Sequence, residues 1–167
     1  MPAIREPRDL FITELRSLLY VEQKLADEVL PALKQQIKDR EFKQNVNEHL
    51  EETRHHVASL ERAFGLLGEE AKPEKSHAID GLVAQHDKVF KHIEPEPLRD
   101  LFNAAAAAKT EHLEIAAYEG MITSAEALGE DEVVSLLEEN LDEEKEALKK
   151  AEKASEQLVK EPIRASR

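Results

Sequence analysis

Cysteine is absent from the chain, which rules out disulfides, thiolate metal ligands and a cysteine nucleophile. Tryptophan is also missing, aromatic residues amount to 4%, and glycine occurs five times in 167 positions. Alanine, leucine, glutamate and lysine dominate what remains, and these are the strong helix formers. No apolar stretch approaches the roughly 20 residues that a membrane span needs. Residues 1–10 carry charges and two prolines in place of an apolar leader, so a cytoplasmic location is the expectation. Positive charge is in short supply, with 23 basic residues against 36 acidic ones and a formal charge of −13. Such a field repels phosphate backbones and anionic membrane surfaces but draws in cations. Neither nucleic acid nor a membrane is an expected partner.

The length suits one domain with a single core. Residues 1–160 read as that domain and 161–167 as a frayed tail. Pro7 precedes an apolar-periodic run over residues 10–33, which predicts a first helix with Asp9 as its N-cap. A short polar stretch, 35–40, leads to a second run through Phe42, Val46, Leu50, Val57, Leu60 and Phe64 that stops at Gly65 to Gly68. The short link makes these two helices antiparallel. Residues 69–97 form a long connection containing Pro73, a brief helical piece over 79–93 and the breaker Glu94-Pro95-Glu96-Pro97. An alanine-rich third helix then runs to Leu128 and Gly129, and Asp131 is the expected cap of a fourth that reaches about Val159. The order of two helices, one long crossover and two helices predicts an all-α, ferritin-like four-helix bundle with a short extra helix in the crossover.

At about 100° per residue, helix positions divide into apolar and solvated sides. On the first helix the stripe Phe11, Leu15, Leu18, Leu25, Val29, Leu33 has Glu22 near its centre. On the fourth, Val133, Leu137, Leu148, Ala151 and Ser155 frame Glu144 in the same way. The third helix turns Glu111 inward with Glu114 at one flank and His112 at the other. The second puts His49 and His56 near its apolar stripe, Glu52 at the border and His55 on the solvent side. A carboxylate left unpaired inside a bundle costs on the order of several kcal/mol unless it is protonated, ion-paired or bound to a cation. No Lys or Arg occupies the central inward positions. Two divalent ions would neutralise such a set.

Di-metal bundles of this kind take one Glu from each of two helices and Glu-x-x-His from each of the other two. Glu22 and Glu111 fit the single positions. Glu52 has His55 at the right spacing but on the wrong face, and His56 one residue further on. Glu144-Lys145-Glu146-Ala147 lacks the histidine altogether, leaving that place to His112, Glu114, Glu143 or water. The candidate metal ligands are therefore Glu22, Glu52, His56, Glu111, Glu114 and Glu144, for two ions of iron or manganese. The plainer reading of the same acids is a buried, proton-sharing hydrogen-bond network. His49, His112 and Tyr118 read as structural, and His77, His86 and His92 as solvated.

Four blocks in order carry a family resemblance: Leu19-Tyr20-Val21-Glu22-Gln23-Lys24-Leu25, His49-Leu50-Glu51-Glu52-Thr53, Glu111-His112-Leu113-Glu114-Ile115-Ala116-Ala117-Tyr118 and Leu141-Asp142-Glu143-Glu144-Lys145. Across residues 7–158 the chain resembles the YciE/YciF-like bacterial stress proteins of the ferritin-like superfamily. The resemblance implies the four-helix fold, a homodimer and a possible di-metal centre, and it implies no substrate. Two functions from different classes stand side by side. One is a di-metal protein that oxidises ferrous iron or handles peroxide under stress; the other is a non-enzymatic dimeric stress or structural protein with a vestigial metal site or a buried carboxylate network.

Overall fold

A computed structural model describes residues 3–160; the expected tail, 161–167, lies outside the described residues. The first helix, α1 (Pro7–Lys24), has Pro7 at its first position, where a missing N–H leaves nothing unpaired. Its cap is Glu6, one turn ahead of the expected Asp9. The Asp9 carboxylate instead accepts from the backbone N–H groups of Arg5 (2.9 Å) and Glu6 (3.3 Å), which are free donors at a helix start. A π-helical turn, Leu25–Val29, joins α1 without a break to α2 (Leu30–Gln36). The second long helix, α3 (Arg40–Leu67), opens with Asp39 accepting from the Phe42 N–H at 2.8 Å and closes at Gly68, whose φ of 69° suits a residue without a Cβ. Then follow α4 (His77–Phe90), α5 (Glu96–Leu128) and α6 (Asp131–Leu158). The α5–α6 turn passes through Gly129 at φ 74°, and Glu130, not Asp131, holds the cap position of α6.

Two polar contacts fix which ends meet. The Arg8 guanidinium donates to the Leu67 carbonyl (2.7 Å) and to Glu130 (3.0 Å), gathering the start of α1, the end of α3 and the α5–α6 turn at one end. At the other end the buried Asp100 carboxylate accepts from the N–H groups of Lys38 (3.0 Å) and Asp39 (2.7 Å), tying the start of α5 to the α2–α3 turn. Thus α3 and α5 run the same way, and α1 and α6 run opposite to them. Around the bundle the neighbours are α1 with α3, α3 with α6, α6 with α5 and α5 with α1. Helices α3 and α5 are therefore diagonal and parallel, so the chain between them must travel the bundle's length. It does so over residues 68–95, packing α4 on α5 and burying Ile79.

The core comes in two parts. One cluster gathers Phe11, Leu15, Leu19, Leu60, Phe64 and Leu137; the other gathers Leu25, Ile37, Phe42, Val46, Leu50 and Ala104. Along each long helix, one or two buried polar residues stand where one cluster gives way to the other. Glu22 lies between Leu19 and Leu25, Thr53 and His56 between Leu50 and Leu60, and Glu111 and Glu114 between Ala107 and Tyr118. On α6, Glu144 follows Leu141 and precedes Ala151. A belt of buried charge crosses the bundle at mid-height.

Candidate metal centre

The belt is built by helical spacing. His49, Thr53 and His56 recur at i, i+4 and i+7 on α3; Glu111, Glu114 and Tyr118 recur at i, i+3 and i+7 on α5. On α6, Asn140 and Glu144 stand four apart, and α1 adds Glu22. All of these side chains are buried, and Glu22, His56, Glu114, Tyr118 and Glu144 have 0% exposure. Side-chain oxygens and ring nitrogens fall into two groups in which every atom lies within 4.8 Å of the others: His49, Glu111, Glu114 and Glu144 in one, Glu22, His56 and Glu144 in the other. Glu144 belongs to both. One carboxylate thus stands between two places where an ion can sit, as a bridging ligand does.

Each imidazole is held from outside and bare inside. The Nε2 of His56 lies 2.8 Å from the half-exposed Glu143 carboxylate, and the Nδ1 of His49 lies 3.2 Å from Glu52. When either ring is neutral with its proton on this outer nitrogen, the inner nitrogen presents a lone pair to the cluster. The inner Nδ1 of His56 stands 2.9 Å from Glu144 and 3.5 Å from Glu22; the inner Nε2 of His49 stands 3.4 Å from Glu111 and 3.6 Å from Glu144. Neither inner nitrogen has a hydrogen-bond partner, because close approach without alignment is not a hydrogen bond. Carboxylate behind histidine is the usual way a metal-binding imidazole is oriented.

Orphaned atoms concentrate here. Both oxygens of Glu114 and of Glu144, one oxygen each of Glu22 and Glu111, and the two inner ring nitrogens are buried without a partner. Native cores rarely leave such groups unmatched. The electrostatics agree. Burial pushes the Glu114 carboxyl well above the usual range, with Glu144, Glu22 and Glu111 adding repulsion. Burial likewise raises Glu22 against the pull of His56, and raises Glu144 to about 7. Burial alone would lower His56, but the Glu144 and Glu22 carboxylates beside its inner nitrogen carry it up to about 10. Tyr118, its hydroxyl raised by burial and by Glu22, donates to Glu22 and accepts from the Asn140 amide at 3.0 Å. The second Glu22 oxygen is left buried without a partner.

Of the six residues expected to ligate, five come together: Glu22, His56, Glu111, Glu114 and Glu144. Glu52 does not join them; it stays part-exposed at the rim as the outer partner of His49. His49, read as structural, faces both Glu111 and Glu144. The histidine missing from α6 is thus offset by α3, which supplies two imidazoles seven residues apart. His55 and His112 are exposed, and so are His77 and His92. His86 departs from its solvated reading: it stacks between Phe90 and Phe102 and bonds to Asn103 at 2.9 Å. Asn140 escaped the sequence reading, although its place one turn before Glu144 was the available signal.

The family model described as "Domain of unknown function (DUF892)" matches residues 6–164. The chain belongs to the DUF892 family. Protein YciF of Escherichia coli (strain K12) is 35% identical over 141 residues, covering 82% of each chain. The crystal structure of the E. coli stress protein YciF superposes with a TM-score of 0.88 at 30% identity, covering 94% of this chain and 99% of that one. YcfI from Rhodopseudomonas palustris superposes with a TM-score of 0.87 at 36% identity, over 89% of this chain and 94% of that one. The YciF-like resemblance and the bundle fold expected from the four sequence blocks both hold for this DUF892 chain.

Proposed function

We propose that this protein binds two metal ions, iron or manganese, at the centre of its bundle and uses them to oxidise ferrous iron or handle peroxide during stress. The observation that carries the reading is the set of eight buried, unpartnered oxygen and nitrogen atoms from Glu22, His49, His56, Glu111, Glu114 and Glu144. Four carboxylates and two neutral imidazoles balance two divalent cations in charge, and a donor set of oxygen and imidazole nitrogen without thiolate suits iron and manganese. Two such ions held side by side supply the electrons for reducing dioxygen or peroxide. The chain's own part is to hold the ligands, with Glu144 shared, and to exclude water with the apolar clusters above and below. The word "stress" in the description of E. coli YciF supports the physiological setting, and a cytoplasmic site of action accords with it. Metal quantification on protein purified without chelator tests the reading, with about two ions per chain expected for a paired site. No bound metal after incubation with ferrous and manganous ions would overturn it.

A second reading is favoured by the Asn140–Tyr118–Glu22 chain and the raised carboxyls, which are also what a proton-sharing network requires. In it the protein is a structural stress protein, and YcfI has been provisionally described as structural. Either way we read the protein as a homodimer, supported by half-buried Ala105, Ala106 and Ala108 and exposed Ala116 on α5, small residues that allow close helix approach. Light scattering at tens of micromolar separates dimer from monomer.

A further inference from the structure

A cavity of about 170 Å³ lies between α1, the start of α4 and α5. Its lining includes Glu14, Ser17, Val21, Ser76, Ala117 and Glu114. Glu14 is exposed, whereas Glu114 is fully buried with neither carboxylate oxygen hydrogen-bonded. We propose that this cavity is the route by which hydrated divalent cations reach the buried cluster, met first by Glu14 and delivered to Glu114. The proposal rests on the metal-binding reading and adds where the ions enter.

Three features support the route. The volume holds several waters, at about 30 Å³ each in the liquid, so an ion can shed its shell stepwise inside. The lining combines one exposed and one buried carboxylate with the hydroxyl-bearing Ser17 and Ser76 among apolar side chains, and contains no Lys, Arg or His. Lys75, next to Ser76 in the chain, is held by Asp80 at 3.2 Å. Helical spacing aligns the walls, because Glu14, Ser17 and Val21 on α1 and Glu114, Ala117 and Met121 on α5 each recur at i, i+3 and i+7. The cavity beside His49 and Glu111 has about 20 Å³, room for one water, and Lys150 stands in its lining. Glu114 belongs to the group with His49, Glu111 and Glu144, so the route opens on that group.

The test is the rate of manganous ion uptake, followed by freeze-quench loss of the free hydrated Mn²⁺ resonance, with final stoichiometry measured separately. Glu14→Lys reverses the charge at the mouth, and Ala117→Phe narrows the passage. Glu138→Lys makes the same change in net charge on exposed α6 surface, away from the cavity. The expected result is uptake slowed by about tenfold in the first two variants, the lower end of electrostatic steering effects, with unchanged final stoichiometry and no slowing in Glu138→Lys. Uptake at the unmodified rate in both Glu14→Lys and Ala117→Phe overturns the route while leaving the metal site standing. Equal slowing by Glu138→Lys reduces the effect to net charge and also overturns it. If the unmodified protein takes up no manganese, the metal reading fails and the route fails with it. Should Ala117→Phe lose stoichiometry through misfolding, the exposed Glu14→Lys decides alone.

Discussion

A single carboxylate, Glu144, separates the shared-site reading from a collection of independent acids. Because its oxygens belong to both ligand groups, Glu144→Ala should empty both positions, whereas a change at an unshared ligand should empty one. Glu52→Ala should leave two ions per chain but weaken binding by about 10–100-fold, since it frees His49 to turn. Metal titration of the two variants checks this, and retention of one tight ion by Glu144→Ala would contradict the bridging geometry. The inward acids were legible in the sequence because long helices with clean apolar stripes frame Glu22 and Glu144 so closely that arithmetic suffices. Glu52 was misplaced because a border position can fall either way once the helix is packed. His49, placed near the apolar stripe beside His56, was read as structural because a histidine on such a face also suits core packing, and Asn140 carries no charge to stand out among apolar neighbours.

Helix ends and the crossover were readable from proline and glycine; the π turn was not. Pro31 cannot donate to the preceding turn, and its ring crowds the carbonyl four residues back. The chain answers by widening at Leu25–Val29, where the Leu30 N–H reaches the Leu25 carbonyl five residues back. This widening begins one turn after Glu22 and lets the rod continue past it. Glycines divide by conformation. Gly68→Ala should cost about 1 kcal/mol because its φ is positive, while Gly120→Ala, in mid-helix with open space where a Cβ would stand, should gain about 0.5–1 kcal/mol. Denaturant unfolding of both variants measures the contrast. The crossover is anchored by Asp80, whose carboxyl is lowered to about 2, first by Lys24 at 2.8 Å and then by Lys75 and Tyr20. A depressed carboxyl stabilises above its unfolded value and loses that effect as pH falls through its folded value. Asp80→Asn should therefore lower the melting temperature at pH 7, and the deficit should shrink as pH drops from about 4 to 2.

At the scale of the whole molecule, the charge belt and the fold oppose one another unless something neutralises the belt. The sequence carried the sign of this conflict, a net −13 with acids on apolar faces, but not its partition into two apolar clusters around one polar layer. The pH dependence of stability follows from that layer. Glu22, Glu114 and Glu144 have raised carboxyls, Glu144 to about 7, so their contribution is greatest below the unfolded value near 4.5 and is lost as pH climbs. His56, raised to about 10, favours folding below its unfolded value near 6.5 and also loses that contribution as pH rises. The metal-free protein should accordingly lose stability from pH 5 to 8. Metal binds the deprotonated ligands, so its stabilisation grows across the same interval; at a free concentration a hundred times the dissociation constant it amounts to about 2.7 kcal/mol. Melting curves with excess manganous ion and with EDTA should diverge as pH increases, nearly coinciding at pH 5 and separated by several degrees at pH 8. Parallel curves at every pH would mean that metal, if bound at all, sits elsewhere on the acidic surface and that the buried carboxyls keep their protons for themselves.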